Sequence, residues 1–477
     1  MARVANGPHV RLLRDTSGSS VTEYGLIAGG IALVGILAAL TAGVEVRELF
    51  GGTSEIIADN VEMPETPSSP APPPEPAGPA PMVLTYEVTG LNPMLGTQSA
   101  LFLGFDGDIT LDCGQGTEPL DIVEPGFFSA ACTYSAPGTY TIEVSGRLAN
   151  LGWDLSGGTI GTIQFAYYDV NTDSIVFDTG SFSDPLHMPF LARVESFGDI
   201  GLVGLNGAFA SNDVLEYVAP LPPTVDSLRN MMAGSTANPT GLETWNTSNV
   251  VNLRGTFAFA SNFDRDISGW DTSSVITFEK TFQEADSFNR DISGWDTSAG
   301  EFFRGMFASA DLFNQPVSDI GGWNMSSASD VSAMFANADS FNQSGEGWVG
   351  IPATNFSDMF HDADAFNGDV ERWQMFNADN TRFMFADADS FDQDLSQWDM
   401  SAATVTTGMF AASPFDNAGQ PLTWDIGSAL GAEYMFADTS FSQDTSGWCV
   451  TNLTVPQSGF FRNVATPPPS PIWGTCP

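Results

Sequence analysis

Four groups of residues in this chain have the type and spacing to do chemistry: a glutamate at the edge of an apolar run, four cysteines, periodic aspartates and three histidines. Glu23 stands five residues after Gly18 and opens a stretch, Tyr24 to Val44, with no charged side chain. A carboxylate left unpaired in hydrocarbon is costly, so Glu23 calls for a cationic partner. Cys113, Cys132, Cys449 and Cys476 fall as two local pairs with no CxxC, a spacing that suggests two disulfides in an oxidising compartment rather than a zinc site. Free core thiols are the alternative.

Asp286, Asp311, Asp339, Asp364 and Asp389 recur at one position, and Asp266, Asp291, Asp369, Asp394 and Asp444 at another. Stacked carboxylates repel unless they are solvated or bridged by a cation. A calcium ladder is one reading, because calcium takes several oxygen ligands. A solvated face with turn-forming aspartates is the other, and the gaps in the columns and the lack of a D-x-D-x-D-G loop favour it. His9, His187 and His361 are isolated, and no P-loop, GxSxG or HExxH is present. Carboxylates are so common here that paired-carboxylate glycosidase chemistry is not indicated by their presence. These residues point to binding or assembly, not to an enzyme, and to no cofactor beyond the calcium alternative.

The elements that must position them follow from composition and repeats. The chain has 477 residues, 58 acidic against 15 basic, and a net charge of −43. That balance argues against nucleic acid and anionic lipid as partners of its bulk. The 21-residue run from Tyr24 to Val44 would reach about 31 Å as a helix, enough for one membrane span. Arg3, Arg11 and Arg14 before it place the N-terminus in the cytoplasm and the acidic bulk outside. Residues 64–81, "PETPSSPAPPPEPAGPAP", favour polyproline II and suit a stalk. From Val83 onward, "MVLTYEVTG", "ITLDC" and "TYTIEVSG" alternate as strands between turns, which suggests an antiparallel sandwich.

The second half is periodic. Trp245, Trp270, Trp295, Trp323, Trp348, Trp373, Trp398, Trp424, Trp448 and Trp473 recur about every 25 residues, and Met-Phe or Thr-Phe pairs keep pace with them. Such self-similarity means a solenoid, propeller or array. One unit reads "MFADADSFDQDLSQWDMSAATVTTG" (384–408). Its Met384, Phe385, Ala388 and Phe391 fit one face of a short helical turn, and Leu395 and Trp398 fit an extended segment. No unit can bury its aromatics alone, so neighbours must share a core. A propeller blade needs about 40 residues, so a coil is the better match.

Three resemblances add to this reading. "GSSVTEYGLIAGGIALVGILAAL" resembles the start of a type IVb (Flp, tight-adherence) pilin, whose signal is a glycine, four residues, Glu-Tyr and an apolar helix. That likeness implies cleavage by a prepilin peptidase between Gly18 and Ser19. It further implies assembly with other pilin subunits through Glu23, Tyr24, Gly25 and Gly29, the new ammonium of a neighbour meeting Glu23. A signal anchor, or a secretory signal ending at "LTAG", remains open. "ITLDCGQGT" with "CTYSAPGTYTIEVSG" resembles a PKD-like immunoglobulin-type domain, with Cys113 and Cys132 where that family has tryptophan and histidine. "TFQEADSFNRDISGWDTS" (281–298) resembles the BspA-like leucine-rich repeats of bacterial surface proteins, which are associated with attachment.

The expected organisation is a prepilin leader (1–18), a pilin-like transmembrane helix (19–62), a proline-rich linker (63–82), a PKD-like β-sandwich (83–200) and a solenoid of about ten coils (201–477). The expected function is a pilin-like subunit of the bacterial inner membrane. It would display the solenoid outside the cell for attachment to a protein or glycan ligand. A non-polymerising anchored receptor and a passive envelope protein are the alternatives.

Overall fold

The structure is a computed structural model, and it describes residues 79–89, 98–114, 119–151, 165–169, 174–178, 190–317, 322–348 and 350–477. All of them fall within one compact unit, Pro76–Pro477. The expected leader, pilin-like helix and most of the linker lie outside the described residues. Among the described residues no helix is long and apolar enough to cross a membrane. The only helical elements among the described residues are two 3₁₀ turns, Leu242–Thr244 and Asn417–Gly419. The expected fold, a transmembrane helix followed by a sandwich, is corrected accordingly.

The first elements are β1 (Met82–Val88), β2 (Gln98–Asp112), β3 (Leu120–Tyr134), β4 (Gly138–Leu151), β5 (Phe165–Asp169), β6 (Ser174–Asp178), β7 (Leu191–Ser196) and β8 (Tyr217–Val218). They form no two-layer sandwich. One six-stranded sheet has the order β3-β2-β4-β1-β7-β8, and β5 and β6 pair separately. Strict alternation buries Met82, Leu84, Tyr86 and Val88 on one face of β1, as a half-buried strand requires. All neighbours pair antiparallel until β8, which lies parallel to β7.

That change of sense is where the coils begin. Tyr217 bridges in parallel to Thr240, and from Gly204 a chain of single parallel bridges runs through Ser227, Asn252, Thr277, Phe302, Asp330, Asn355, Asn380 and Val405 to Gly431. One hydrophobic core extends from Met82 through the sheet to Phe460 in the last coil.

The Met-Phe segment of each coil is not the helical turn that its spacing suggests. Its amides alternate. In the coil at 303–310, Phe303, Gly305, Phe307 and Ser309 donate to Asp330, Ser332, Met334 and Ala336 of the next coil at 2.7–3.0 Å. Met306, Ala308 and Ala310 instead close three-residue turns on Phe303, Gly305 and Phe307. The first and last of these turns carry a residue of positive φ, Gly305 and Ser309, at the third position. Each coil supplies two, four residues apart: Lys280 and Glu284, Gly305 and Ser309, Ala333 and Asn337, Phe383 and Asp387, Tyr434 and Asp438. A left-handed Lys, Phe or Tyr costs roughly 1–2 kcal/mol, so packing must hold it. Phe383 and Tyr434 lie over Gly408 and Gly459 of the following coils, which have no Cβ to obstruct the rings.

Aromatic columns supply that packing. Phe282, Phe307, Phe335, Phe360, Phe385 and Phe410 stack one above another with centroids 5.4–5.8 Å apart. A second column runs through Phe288, Phe313, Phe341, Phe366, Phe391 and Phe415 at 5.9–6.2 Å. Each stacked pair adds about 0.5–1.5 kcal/mol beyond its buried area.

Candidate binding surface of the coils

Because the core is a stack of identical rungs, every outward position becomes a column with one side chain per coil. The expected site residues sort onto these columns or into the core. Trp270, Trp295, Trp323, Trp348, Trp373, Trp398, Trp424 and Trp448 are all buried. Their indole N–H groups donate to a carbonyl of the preceding coil: Trp295 to Ile267 at 3.1 Å, Trp323 to Ile292 at 2.8 Å, Trp373 to Gly345 at 2.8 Å and Trp398 to Val370 at 2.9 Å. The carbonyl often serves twice, since Ile292 also accepts the backbone N–H of Trp295 in its own coil. Trp348 is the exception, with a buried Nε1 that has no hydrogen-bond partner. It follows the coil lengthened around "SDIGG", where the backbone N–H of Trp323 reaches back to Val317 rather than three residues. Trp295 and Trp323 stack with ring planes 5° apart, whereas Trp348 and Trp373 are tilted by 33°.

Cys113 is bonded to Cys132 within the sheet, and Cys449 to Cys476 at the end of the coils. Gly18, Ser19, Glu23, Tyr24, Gly25 and Gly29 lie outside the described residues.

Asp286, Asp311, Asp339, Asp364 and Asp389 form an exposed column. Partial burial, and then the charge of neighbouring aspartates, raises the carboxyls of Asp286, Asp339 and Asp364 above the usual range. No group of three or more His, Cys, Asp or Glu among the described residues is placed to hold a metal ion. Asp266 and Asp291 differ in kind. Each accepts the hydroxyl and backbone N–H of the serine two residues on, Ser268 or Ser293, and is held below the usual carboxylate range by those bonds. They are turn formers. His361 is not isolated: its Nε2 lies 3.4 Å from Asp387 of the next coil.

Two arrangements escaped the reading of the sequence. The first is an asparagine ladder. The backbone N–H of Asn314 donates to Oδ1 of Asn289, that of Asn342 to Asn314, that of Asn367 to Asn342, and that of Asp392 to Asn367, at 2.9–3.0 Å. Beside three of the four rungs a glutamine, Gln315, Gln343 or Gln393, donates to the same Oδ1. Its signal was the repeated Phe-Asn-Gln tripeptide, which marks a column of cross-coil acceptors.

The second arrangement is basic. Arg229, Arg254, Lys280 and Arg304 come from four consecutive coils, on and beside the bridging segment, in a chain with one lysine. Arg254 pairs with Glu279 at 2.9 Å. Among the described residues neither Lys280 nor Arg304 makes an ion pair. Ile276 and Phe302 are 43% and 41% exposed beside them, an apolar surface with cations on its rim. A cleft of about 360 Å³ where the sheet meets the coils is lined by Phe197, Leu202 and Leu221, with Glu195 and Asp199 among its polar residues.

The comparisons with known proteins agree with the coils and not with the expected N-terminus. No curated protein and no solved structure matches. One family model does, described as "Mycoplasma protein of unknown function, DUF285", over residues 226–348, 318–420 and 414–466. This is a BspA-like surface repeat family, consistent with a surface protein. The pilin-like identity and the anchoring in an inner membrane are corrected on these findings, while Gly18 and Glu23 lie outside the described residues. The family found is one of surface repeats, and no span is present among the described residues. The three matched segments together run from residue 226 to 466, just over half of the sequence, and the chain belongs to the DUF285 family.

Proposed function

We propose that this protein is a non-catalytic surface protein whose coils serve as an attachment platform for a protein or glycan ligand. The observation that carries this reading is the display itself. Buried Phe and Trp columns and the asparagine ladder fix every coil against its neighbours, so outward side chains repeat in register over the whole array. A rigid repeat surface binds without first ordering its own groups, which removes much of the entropic cost of association. The two disulfides suit an oxidising exterior. The strongly acidic composition suits a protein that stays dispersed in salt.

The test is capture by the folded chain. Full-length protein immobilised on beads is exposed to glycan arrays and to intact cells, with the heat-unfolded chain as control. Ligands retained by the folded chain alone are expected. Equal retention by folded and unfolded chains, or none by either, would sink the attachment reading and leave a passive envelope protein.

A further inference from the structure

The acidic column is electrostatically unfavourable on its own, and the basic strip of Arg254, Lys280 and Arg304, in which Arg254 pairs with Glu279, has the same repeat. Lys280 follows Glu279, the residue in register with Arg254 and Arg304, at a left-handed backbone position, its stem 3.6 Å from where a Cβ on Gly305 would sit. Burial lowers its pKa, Glu279 opposes that shift, and the guanidiniums of Arg304 and Arg254 add to it. On the other column Asp339 and Asp364 are exposed and crowded by like charges. Among the described residues Asp339, Asp364 and Asp389 make no ion pair. In each column the charges are one coil apart, about 4.8 Å by the spacing of paired strands.

We propose that two copies of this chain pair side by side and antiparallel, the basic strip of each lying on the aspartate column of the other. A partner carrying carboxylates at the pitch of these cations must itself be a stack of such coils, and a second copy is one. The register follows from the coil order. Arg304 and Asp339 belong to adjacent coils, Lys280 and Asp364 to the coils flanking them, and Arg254 and Asp389 to the next pair outward. A two-fold axis between the Arg304 and Asp339 coils therefore matches all three cations with all three carboxylates, and does so twice. Such an interface is isologous and closes at two subunits. Ile276 and Phe302 would be covered beside the pairs. This pairing does not depend on attachment and would stand without it.

The charge of −43 opposes the approach of two copies at low salt, while the local pairs favour it. Association is therefore expected to strengthen as salt screens the long-range repulsion and to weaken again once the short-range pairs are screened. Sedimentation equilibrium of the full-length chain over a salt series reads this directly. Lys280→Glu is expected to weaken the dimer about tenfold or more, and Lys280→Glu with Asp364→Lys to restore it. Arg304→Glu with Asp339→Arg should behave likewise. Lys280→Gly, which suits the left-handed backbone, separates loss of charge from loss of fold and should also weaken the dimer. A monomer at every salt concentration would overturn the proposal, as would association that ignores these reversals. So would a monomer whose basic strip instead captures poly-glutamate or a sulfated polysaccharide.

Discussion

Trp348→Phe should destabilise the protein less than Trp373→Phe, although both residues are buried to the same degree. The two changes remove the same atoms from equivalent rungs, so the lost packing cancels in the comparison. What differs is the indole N–H. That of Trp373 donates to the Gly345 carbonyl at 2.8 Å, and losing a typical bond of this kind costs about 1 kcal/mol. The carbonyl itself stays satisfied, because it also accepts the backbone N–H of Trp348. The Trp348 indole has no acceptor, and a buried donor without a partner costs about 1–3 kcal/mol, which phenylalanine removes. The two effects add in the comparison, so Trp348→Phe should be the milder change by about 2 kcal/mol or more. Guanidinium unfolding of the two variants, compared at equal m-value, measures the gap. If Trp348→Phe cost as much as Trp373→Phe, the inserted segment would be serving the indole, and the reasoning would be refuted.

Two further outcomes follow from the same geometry. Gly408→Ala places a Cβ in the ring of Phe383 at a position of φ +63°, and should cost about 2 kcal/mol or more. Adding Phe383→Ala should recover the steric share but not the backbone share, as thermal unfolding of the single and double variants would show. The carboxylates predict opposite responses to pH. Asp266 and Asp291, held low by their serines, stabilise the fold above the ordinary aspartate pKa and lose that effect as pH falls through their depressed values. Asp286, held high by burial and Asp311, stabilises only while protonated and loses that effect as pH rises through its raised value. Asp286→Asn should therefore stabilise the protein at neutral pH by a few tenths of a kcal/mol and not in acid, with salt removing only the share due to Asp311. Melting temperatures of this variant across a pH and salt grid that showed no such convergence would count against the assignment.

The repeat could be read because its signal is chemical identity at a fixed interval: tryptophan and phenylalanine return every coil, and no solvated loop keeps such residues. The local conformation could not. Met384, Phe385, Ala388 and Phe391 share a face in a helix, but they also share one when alternate amides leave for the next coil, and spacing does not separate the two. The signature of the second case is a pair of left-handed residues, and Lys280, Phe383 and Tyr434 at those sites advertise nothing of the kind. In the sheet, alternation announced the strands but not their partners, so a two-layer sandwich was expected where a single sheet continues into the coils. Among the outward residues, attention fell on the aspartates because carboxylates can do chemistry. Asn314, Asn342 and Asn367, which bind coil to coil, looked like ordinary turn residues.

The hydrogen bonds of the array also set how long it can grow. Along the Phe segment every second N–H points forward, Phe307 to Met334, whereas on the neighbouring outer rung Ile276 points back to Val251 and Asn314 back to Asn289. An α-helix aligns all its peptides and concentrates partial charge at its ends. Here the two strips run in opposite senses and largely offset each other, so adding a rung charges neither extremity. Only greasy rings at the terminus need a cover, which the loop closed by Cys449 and Cys476 provides. Arrays of this kind can be lengthened or shortened by whole units through unequal recombination, with no polar bill accumulating at either end.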